Sequence, residues 1–303
     1  MKFSGHETFQ VREGWLHKGM KLIHHDPQMI GDEFVSDHLG VGRNMAKSIR
    51  HWLVATKLAE PVVKNASSKW PTLKFTEIGE LVWERDPYFL ELGTWWMLHI
   101  NLVNSPRIAT TLAWFFNSFG HNRFGRSVCL ESLQRYVAMS QTRPPSAATL
   151  ERDLSCLLLS YSRTIPVQNI DPEEGTESPF RELGLLNYFK NSGYYQLNQT
   201  MKNIPSAIFG YAMANAFEEL QQNRKDTDIS LGEITRKTGG PGRVFCLSEE
   251  SLFETISRIE SVEQQEFSVS NLAGEKAIRI RCRSAVEWAT RYYHTITEEA
   301  CVT

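Results

Sequence analysis

Leu39-Gly40-Val41-Gly42 separates two amphipathic runs, and this glycine-bearing turn constrains the chain more than any other stretch. Before it, Phe34, Val35 and Leu39 mark a short helix with Asp32 as its N-cap candidate. After it, Arg43 to about Leu58 reads as a longer helix. Two helices joined by a glycine-containing turn are the helix-turn-helix signature. A further helix precedes the pair over residues 14–26, where Trp15, Leu16, Met20, Leu22 and Ile23 recur at helical spacing and Pro27 follows as a stop.

The helix after the turn has two unlike faces. At about 100° per residue from Arg43, the side chains of Lys47, Arg50 and His51 share its stripe, and Met45, Ile49, Trp52 and Thr56 lie opposite. The polar stripe contains no acid, as a major-groove recognition helix requires. An ordinary solvated face is the competing reading, and such faces usually mix charges. Beyond the helix, Pro61-Val62-Val63-Lys64 can pair with Thr72-Leu73-Lys74-Phe75 across the polar residues 65–69. That hairpin has a basic tip, and Thr76 to Leu81 then opens a returning helix. The expected unit is an N-terminal winged helix-turn-helix, with Arg43, Lys47, Arg50, His51, Lys64, Lys69 and Lys74 as its DNA-facing residues.

Net charge hides this feature. The chain of 303 residues has 33 Lys and Arg against 35 Asp and Glu, a formal charge of −2. Between Val41 and Phe75, seven cations meet only Glu60, a local charge of +6 that leaves −8 on the remainder. A concentrated positive segment is the electrostatic footprint of phosphate binding.

The length predicts about two domains, and the expected division is a winged helix at 1–85, an aromatic helical region at 86–170 and an α+β region at 171–303. In the middle, Trp95, Trp96, Trp114, Phe115, Phe116 and Phe119 sit among Leu, Met and Ile and read as core rather than as stacking platforms for bases. Ala147–Tyr161 reads as an amphipathic helix in which Glu151 and Asp153 supply helix electrostatics. The acidic, turn-rich residues 171–177 mark the boundary. After it, helices are expected near 180–186, 205–220, 230–237 and 248–259, with strands at 194–197, 267–269 and 277–283. The order resembles a second winged helix, so the fold class is mainly α, with α+β character.

Two C-terminal features could touch phosphate. Residues 236–243 form a glycine-rich loop ending in Arg243, without the Lys-Ser/Thr of a nucleotide-binding loop; a flexible surface connection is the competing reading. Arg279, Arg281 and Arg283 alternate with Ile278, Ile280 and Cys282, which puts three cations on one strand face. Pairing with nearby acids such as Glu287 is the competing account.

No nucleophile elbow, zinc-protease motif or dinucleotide fingerprint is present. His6 and Glu7 with Arg12 form the one N-terminal constellation with catalytic potential: a general base or metal ligands beside a phosphate-stabilising cation. A structural anchor for the N-terminus explains the same residues. Cys129, Cys156, Cys246, Cys282 and Cys301 are dispersed and odd in number, so they read as reduced thiols. Neither a secretory leader nor a membrane span is legible, and a cytoplasmic location is expected.

Three segments resemble a known family: Gly5-His6-Glu7-Thr8-Phe9 with Arg12, Trp15-Leu16 and Lys18-Gly19; Leu39 to Met45 with Ser48-Ile49-Arg50 and Trp52; and Asp86-Pro87-Tyr88 with Trp96 and Leu98-His99. The family is the bacterial domain-of-unknown-function group that includes the SspB-like component of DNA phosphorothioation systems. Residues 89–93 depart from its more acidic pattern. The resemblance implies a DNA-binding protein of an anti-phage defence system, in which Arg43, Asn44, Lys47 and Arg50 match motif positions and Asn44 joins the DNA-facing residues. Its partners would be a cysteine desulfurase, an ATP-pyrophosphatase-type sulfur transferase and an ATPase. It also implies nicking of one DNA strand, which would call for a divalent metal, Mg²⁺ or Mn²⁺. A non-enzymatic adaptor and a regulator of the gene cluster are the rival roles.

Overall fold

The computed structural model describes residues 1–62, 70–140, 144–165, 177–222, 226–272 and 274–302. The chain is α+β and divides into two compact units, Met1–Leu197 and Asn198–Thr303. The expected boundary at 171–177 lies outside the described residues except for Glu177, and the tip lysines Lys64 and Lys69 lie outside them too.

The first unit begins with α1 (Trp15–His25), α2 (Val35–Leu39) and α3 (Arg43–Ala55). Gly40 caps α2 at φ 64°, the left-handed conformation that a side chain with Cβ adopts at a cost. The three helices close around Leu16, Met20, Leu39, Ile49, Trp52 and Leu53, all buried. The hairpin that follows starts earlier than expected: β1 (Ala59–Pro61) pairs antiparallel with β2 (Leu73–Phe75), Pro61 opposite Leu73, and Val63 and Lys64 lie outside the described residues. Helix α4 (Glu77–Arg85) then returns, capped by the Thr76 hydroxyl at 3.0 Å from the Gly79 amide.

Helices α5 (Leu92–Val103) and α6 (Thr110–Ser118) carry the aromatic core. Trp95, Trp96, Trp114, Phe115, Phe116 and Phe119 are all buried, packed edge-on against neighbouring rings. After them come β3 (Arg123–Gly125), α7 (Arg126–Ser140), α8 (Ala147–Tyr161), β4 (Ser162–Ile165), β5 (Leu186–Phe189) and β6 (Tyr194–Leu197). The strands order as β3-β6-β5-β4, with only β4 and β5 parallel. Where a helix was expected near 180–186, a short 3-10 turn spans Pro179–Leu183.

The second unit contains α9 (Ser206–Ala216), α10 (Glu219–Gln222), β7 (Thr227–Ser230), α11 (Leu231–Arg236), α12 (Pro241–Val244) and α13 (Glu249–Val262). It ends with β8 (Phe267–Leu272), β9 (Glu275–Ile280) and α14 (Ala285–Val302). Its sheet is antiparallel in the order β7-β9-β8, over a core of Phe209, Phe245, Phe267 and Trp288. Among the described residues no helix is long and apolar enough to cross a membrane.

Gly79 shows how tightly α4 is seated. A Cβ there would fall 1.9 Å from the Leu58 carbonyl oxygen, which is backbone and cannot swing aside. Gly79→Ala is therefore expected to destabilise the protein by roughly 3 kcal/mol through overpacking. A urea titration reads this as a lowered midpoint, and an unchanged midpoint would mean that α4 can shift freely.

Candidate nucleic-acid interface

The N-terminal segment folds back onto α3, and each residue of Gly5-His6-Glu7-Thr8-Phe9 has a defined neighbour. Gly5 is required because the His51 ring lies where its Cβ would be, at 2.5 Å. His6, buried, places Nε2 3.2 Å from Asp153 of α8. Glu7 reaches Lys47 at 3.5 Å. The Thr8 amide donates to His6 Nδ1 at 3.1 Å, and the Phe9 carbonyl accepts from the Trp52 indole at 3.1 Å.

Asp153 is saturated. Its Oδ1 also accepts from the Ser4 amide at 2.8 Å, and its Oδ2 from the Thr111 hydroxyl at 3.2 Å. Burial alone would lower the His6 pKa, but hydrogen bonds to Asp153 and Cys156 outweigh it and raise the pKa to about 10. The Thr8 amide works the other way, because a doubly protonated ring has no lone pair at Nδ1. His51 moves down, to about 3, through its own burial and then the charges of His6 and Lys2. His6, Asp153, Cys156 and His51 line one small cavity, whereas Arg12 lines a different cleft. The structure therefore joins His6 and Glu7 to α3 and α8 without joining Arg12 to them.

The basic stripe is narrower than the helical wheel implies. Arg43 and Asn44 are exposed at the first turn of α3, and Lys47 is half-exposed, 3.2 Å from the Asn44 side-chain oxygen. His51 is buried under Gly5 and does not face solvent. Arg50 is also turned inward: its guanidinium donates to the Ile30 carbonyl and, at 2.8 Å, to the Pro71 carbonyl, while lying over the Trp70 ring. Burial lowers its pKa to about 10. Arg50 thus clips α3 to the base of the hairpin. Lys74 is exposed and pairs with Glu60 at 2.8 Å across the strands.

In the second unit the cations are mostly engaged. Residues 241–244 form the short helix α12 rather than a flexible connection, because Gly242 sits 2.5 Å from the Thr235 carbonyl at the Cβ position. Arg243 is half-buried on it. Arg279 forks onto Asp228 at 2.8 and 3.2 Å, and Arg283 onto Glu266 at 2.8 and 3.0 Å. The strand β9 ends at Ile280, so the three arginines do not form one strand face; Arg281 remains exposed beyond it. Glu287 instead caps α14, accepting from the Ser284 amide at 2.7 Å.

Sequence reasoning missed Asp153 and Asp86 as organising groups. A signal existed for Asp153: it lies on the apolar face of α8, between Leu150, Leu154 and Leu157, where an acid needs a partner. Among the described residues no three His, Cys, Asp or Glu side chains gather as a metal-binding group. With its oxygens committed to three protein donors, Asp153 does not fit a divalent ion.

These features define a helix-rich α+β protein whose first unit presents the N-terminal end of a basic helix, held in place by a buried His–Asp pair. The chain belongs to the family described as "Protein of unknown function (DUF4007)", whose pattern matches residues 3–293. It is similar to a solved structure described as "SspB crystal structure", with a TM-score of 0.81 and 25% identity over 96% of this chain and 86% of that one. A second, "Magnesium ion-bound SspB crystal structure", matches with the same values. The SspB-like resemblance drawn from the motifs therefore holds. No curated protein matches the chain.

A His6 pKa raised from 6.5 to about 10 stabilises the fold fully below about 6.5, and that contribution is lost as pH rises through about 10. His6→Gln is expected to cost roughly 3 kcal/mol at neutral pH, since it leaves Asp153 buried without its cation. The gap in melting temperature between wild type and variant should narrow as pH is taken from about 8 to about 11. A constant gap would show that the ring is neutral and only hydrogen-bonded.

Proposed function

We propose that the chain is a DNA-binding component of a DNA phosphorothioation defence system. It would act in the cytoplasm beside a cysteine desulfurase, an ATP-pyrophosphatase-type sulfur transferase and an ATPase. In this reading residues 1–85 work as a winged helix-turn-helix, with α2 and α3 as its helix pair and β1–β2 as the base of its wing. The observation that carries the reading is the exposed Arg43 and Asn44, with the half-exposed Lys47, at the leading end of α3. Helix-turn-helix proteins contact base edges with the N-terminal residues of the second helix.

DNA binding is assigned to the first unit. The order α11, α12, α13, β8, β9 can be read as a second winged helix, but α13 carries Glu249, Glu250, Glu254 and Glu260 against Arg258. Such a helix repels phosphate. Arg279 and Arg283 are already paired, which leaves Arg243 and Arg281 as weak additional contacts.

His6 and Glu7 are assigned to anchoring, since their polar atoms hold the N-terminal segment to α3 and α8. The magnesium-bound neighbour favours a second reading, metal-assisted nicking of one strand, which is not assigned to residues of this chain. Supercoiled plasmid incubated with Mg²⁺ or Mn²⁺, and with chelator, separates the two. Metal-dependent open circles support nicking, and intact supercoils leave the binding role alone.

The binding role is tested by fluorescence anisotropy on duplex DNA across a salt series. Arg43→Glu with Lys47→Glu is expected to weaken binding to all sequences and to flatten the slope of log affinity against log salt by about 2. Arg50→Gln should lower the melting temperature before it alters that slope. Unchanged affinity of the double variant at moderate salt would rule out α3 as the docking surface.

A further inference from the structure

A cleft of about 510 Å³ opens in the first unit, away from Arg43 and Lys47 in its lining, and the loop before α5 forms one wall. That loop is built to stay in place. The buried Asp86 carboxylate accepts from the Leu90 amide at 2.8 Å, the Glu91 amide at 3.1 Å and the Thr94 hydroxyl at 2.7 Å. Within it Phe89 has φ 59°, a strained conformation for a residue with Cβ, and its carbonyl accepts from the Trp95 indole at 3.0 Å. His17 holds the other end, 2.8 Å from the Pro87 carbonyl and stacked 4.6 Å from the Tyr88 ring.

The outcome is apolar side chains fixed in water. Tyr88 is 66% exposed, Leu90 82% and Leu92 44%, at alternate positions of the chain and lining the same cleft. A rigid loop that displays them marks an interaction site rather than a frayed surface. Across the cleft lies Arg12, whose guanidinium sits 5.4 Å from the Trp15 ring centre. Its Nε is buried without a hydrogen-bond partner among the described residues. Ser178, only 2% exposed, lines the cleft with an equally unpartnered hydroxyl. Glu177 and Glu182 border the site, but Arg181 and Arg163 neutralise them. Glu13 also lines the cleft but is exposed, and the half-buried Arg12 makes no ion pair among the described residues.

We infer that this cleft docks a partner protein through a segment carrying a large apolar side chain next to a carboxylate. The carboxylate takes the Arg12 fork and the Ser178 hydroxyl, the geometry in which arginine binds carboxylates best. The apolar side chain covers Leu90 and Leu92 beside the Trp95 ring. A nucleic-acid backbone would leave those leucines in water. The site goes beyond the DNA-binding reading and does not depend on it.

The test is selection of a phage-displayed random peptide library against the full-length protein. Enriched peptides are expected to place Leu, Ile, Phe or Met beside Asp or Glu. A synthetic peptide of that sequence should bind at least tenfold more weakly to Arg12→Gln and to Leu90→Asp, and when its own acid is changed to the amide. Leu90→Asp, a change at an exposed position, should retain the wild-type melting temperature and DNA affinity, which keeps the test decisive if Arg12→Gln folds poorly. Peptides without the apolar–acid pair, equal binding to the variants, failure to enrich any binder, or loss of DNA affinity in Leu90→Asp would each overturn the proposal.

Discussion

The Asp153 carboxylate is the constraint on which the first unit turns. One buried acid accepts from the Ser4 amide, the His6 ring and the Thr111 hydroxyl, and so ties the N-terminal segment to α6 and α8. A carboxylate this far from water needs all of these donors, because burying a charge without partners is strongly unfavourable. Once His6 is fixed there, its neighbours are fixed too. Gly5 must lie against His51, Glu7 meets Lys47, and the Phe9 carbonyl meets the Trp52 indole, so the position of α3 is set by an interaction made on another helix.

That dependence explains which parts were legible in the sequence. Helices α1, α3 and α8 follow from amphipathic spacing bounded by Gly, Pro or Ser, and their observed limits lie within a few residues of the expected ones. The buried aromatic middle follows from its apolar neighbours. Of the four-stranded sheet, only β6 was legible, as the strand expected at 194–197. Its strands are three or four residues long, too short for alternation to register, and its outer strand β3 pairs with β6 across a long stretch of sequence. A pairing of that kind is decided by tertiary packing, which no local pattern encodes.

Charge was legible in place and misleading in role. The +6 segment is real, but a helical wheel assigns direction from one element alone and ignores what packs against it. Arg50 lies on the polar stripe of α3 and still turns to the Ile30 and Pro71 carbonyls, where it links the helix to the hairpin. His51, about 100° further round, is covered by a segment more than forty positions earlier in the chain. Lys57 is half-buried, with its pKa lowered by desolvation. Among the described cations of this segment, Arg43 is exposed and Lys47 half-exposed, both toward the leading end of α3.

Strained backbone gathers in the two regions that the buried aspartates hold, with Lys57 and Cys246 apart from them. Among the described residues, non-glycine backbone with positive φ occurs at six positions. Three of these, Ser4, Glu7 and Thr8, lie in the segment that Asp153 anchors, and Phe89 lies in the loop that Asp86 anchors. In each region a buried aspartate accepts backbone amides and holds a conformation that the chain would not adopt unaided. Strained backbone persists only where surrounding structure over-determines it, and it concentrates where a side chain must be aimed. The first region aims Glu7 at Lys47 and steadies the exposed end of α3. The second aims Tyr88 and Leu90 outward, 66% and 82% exposed, with Tyr88 covered on one face by the His17 ring. A fold that needed only a compact core would have no reason to hold those two apolar side chains in water, so the second aspartate is best understood as supporting a surface made for another molecule.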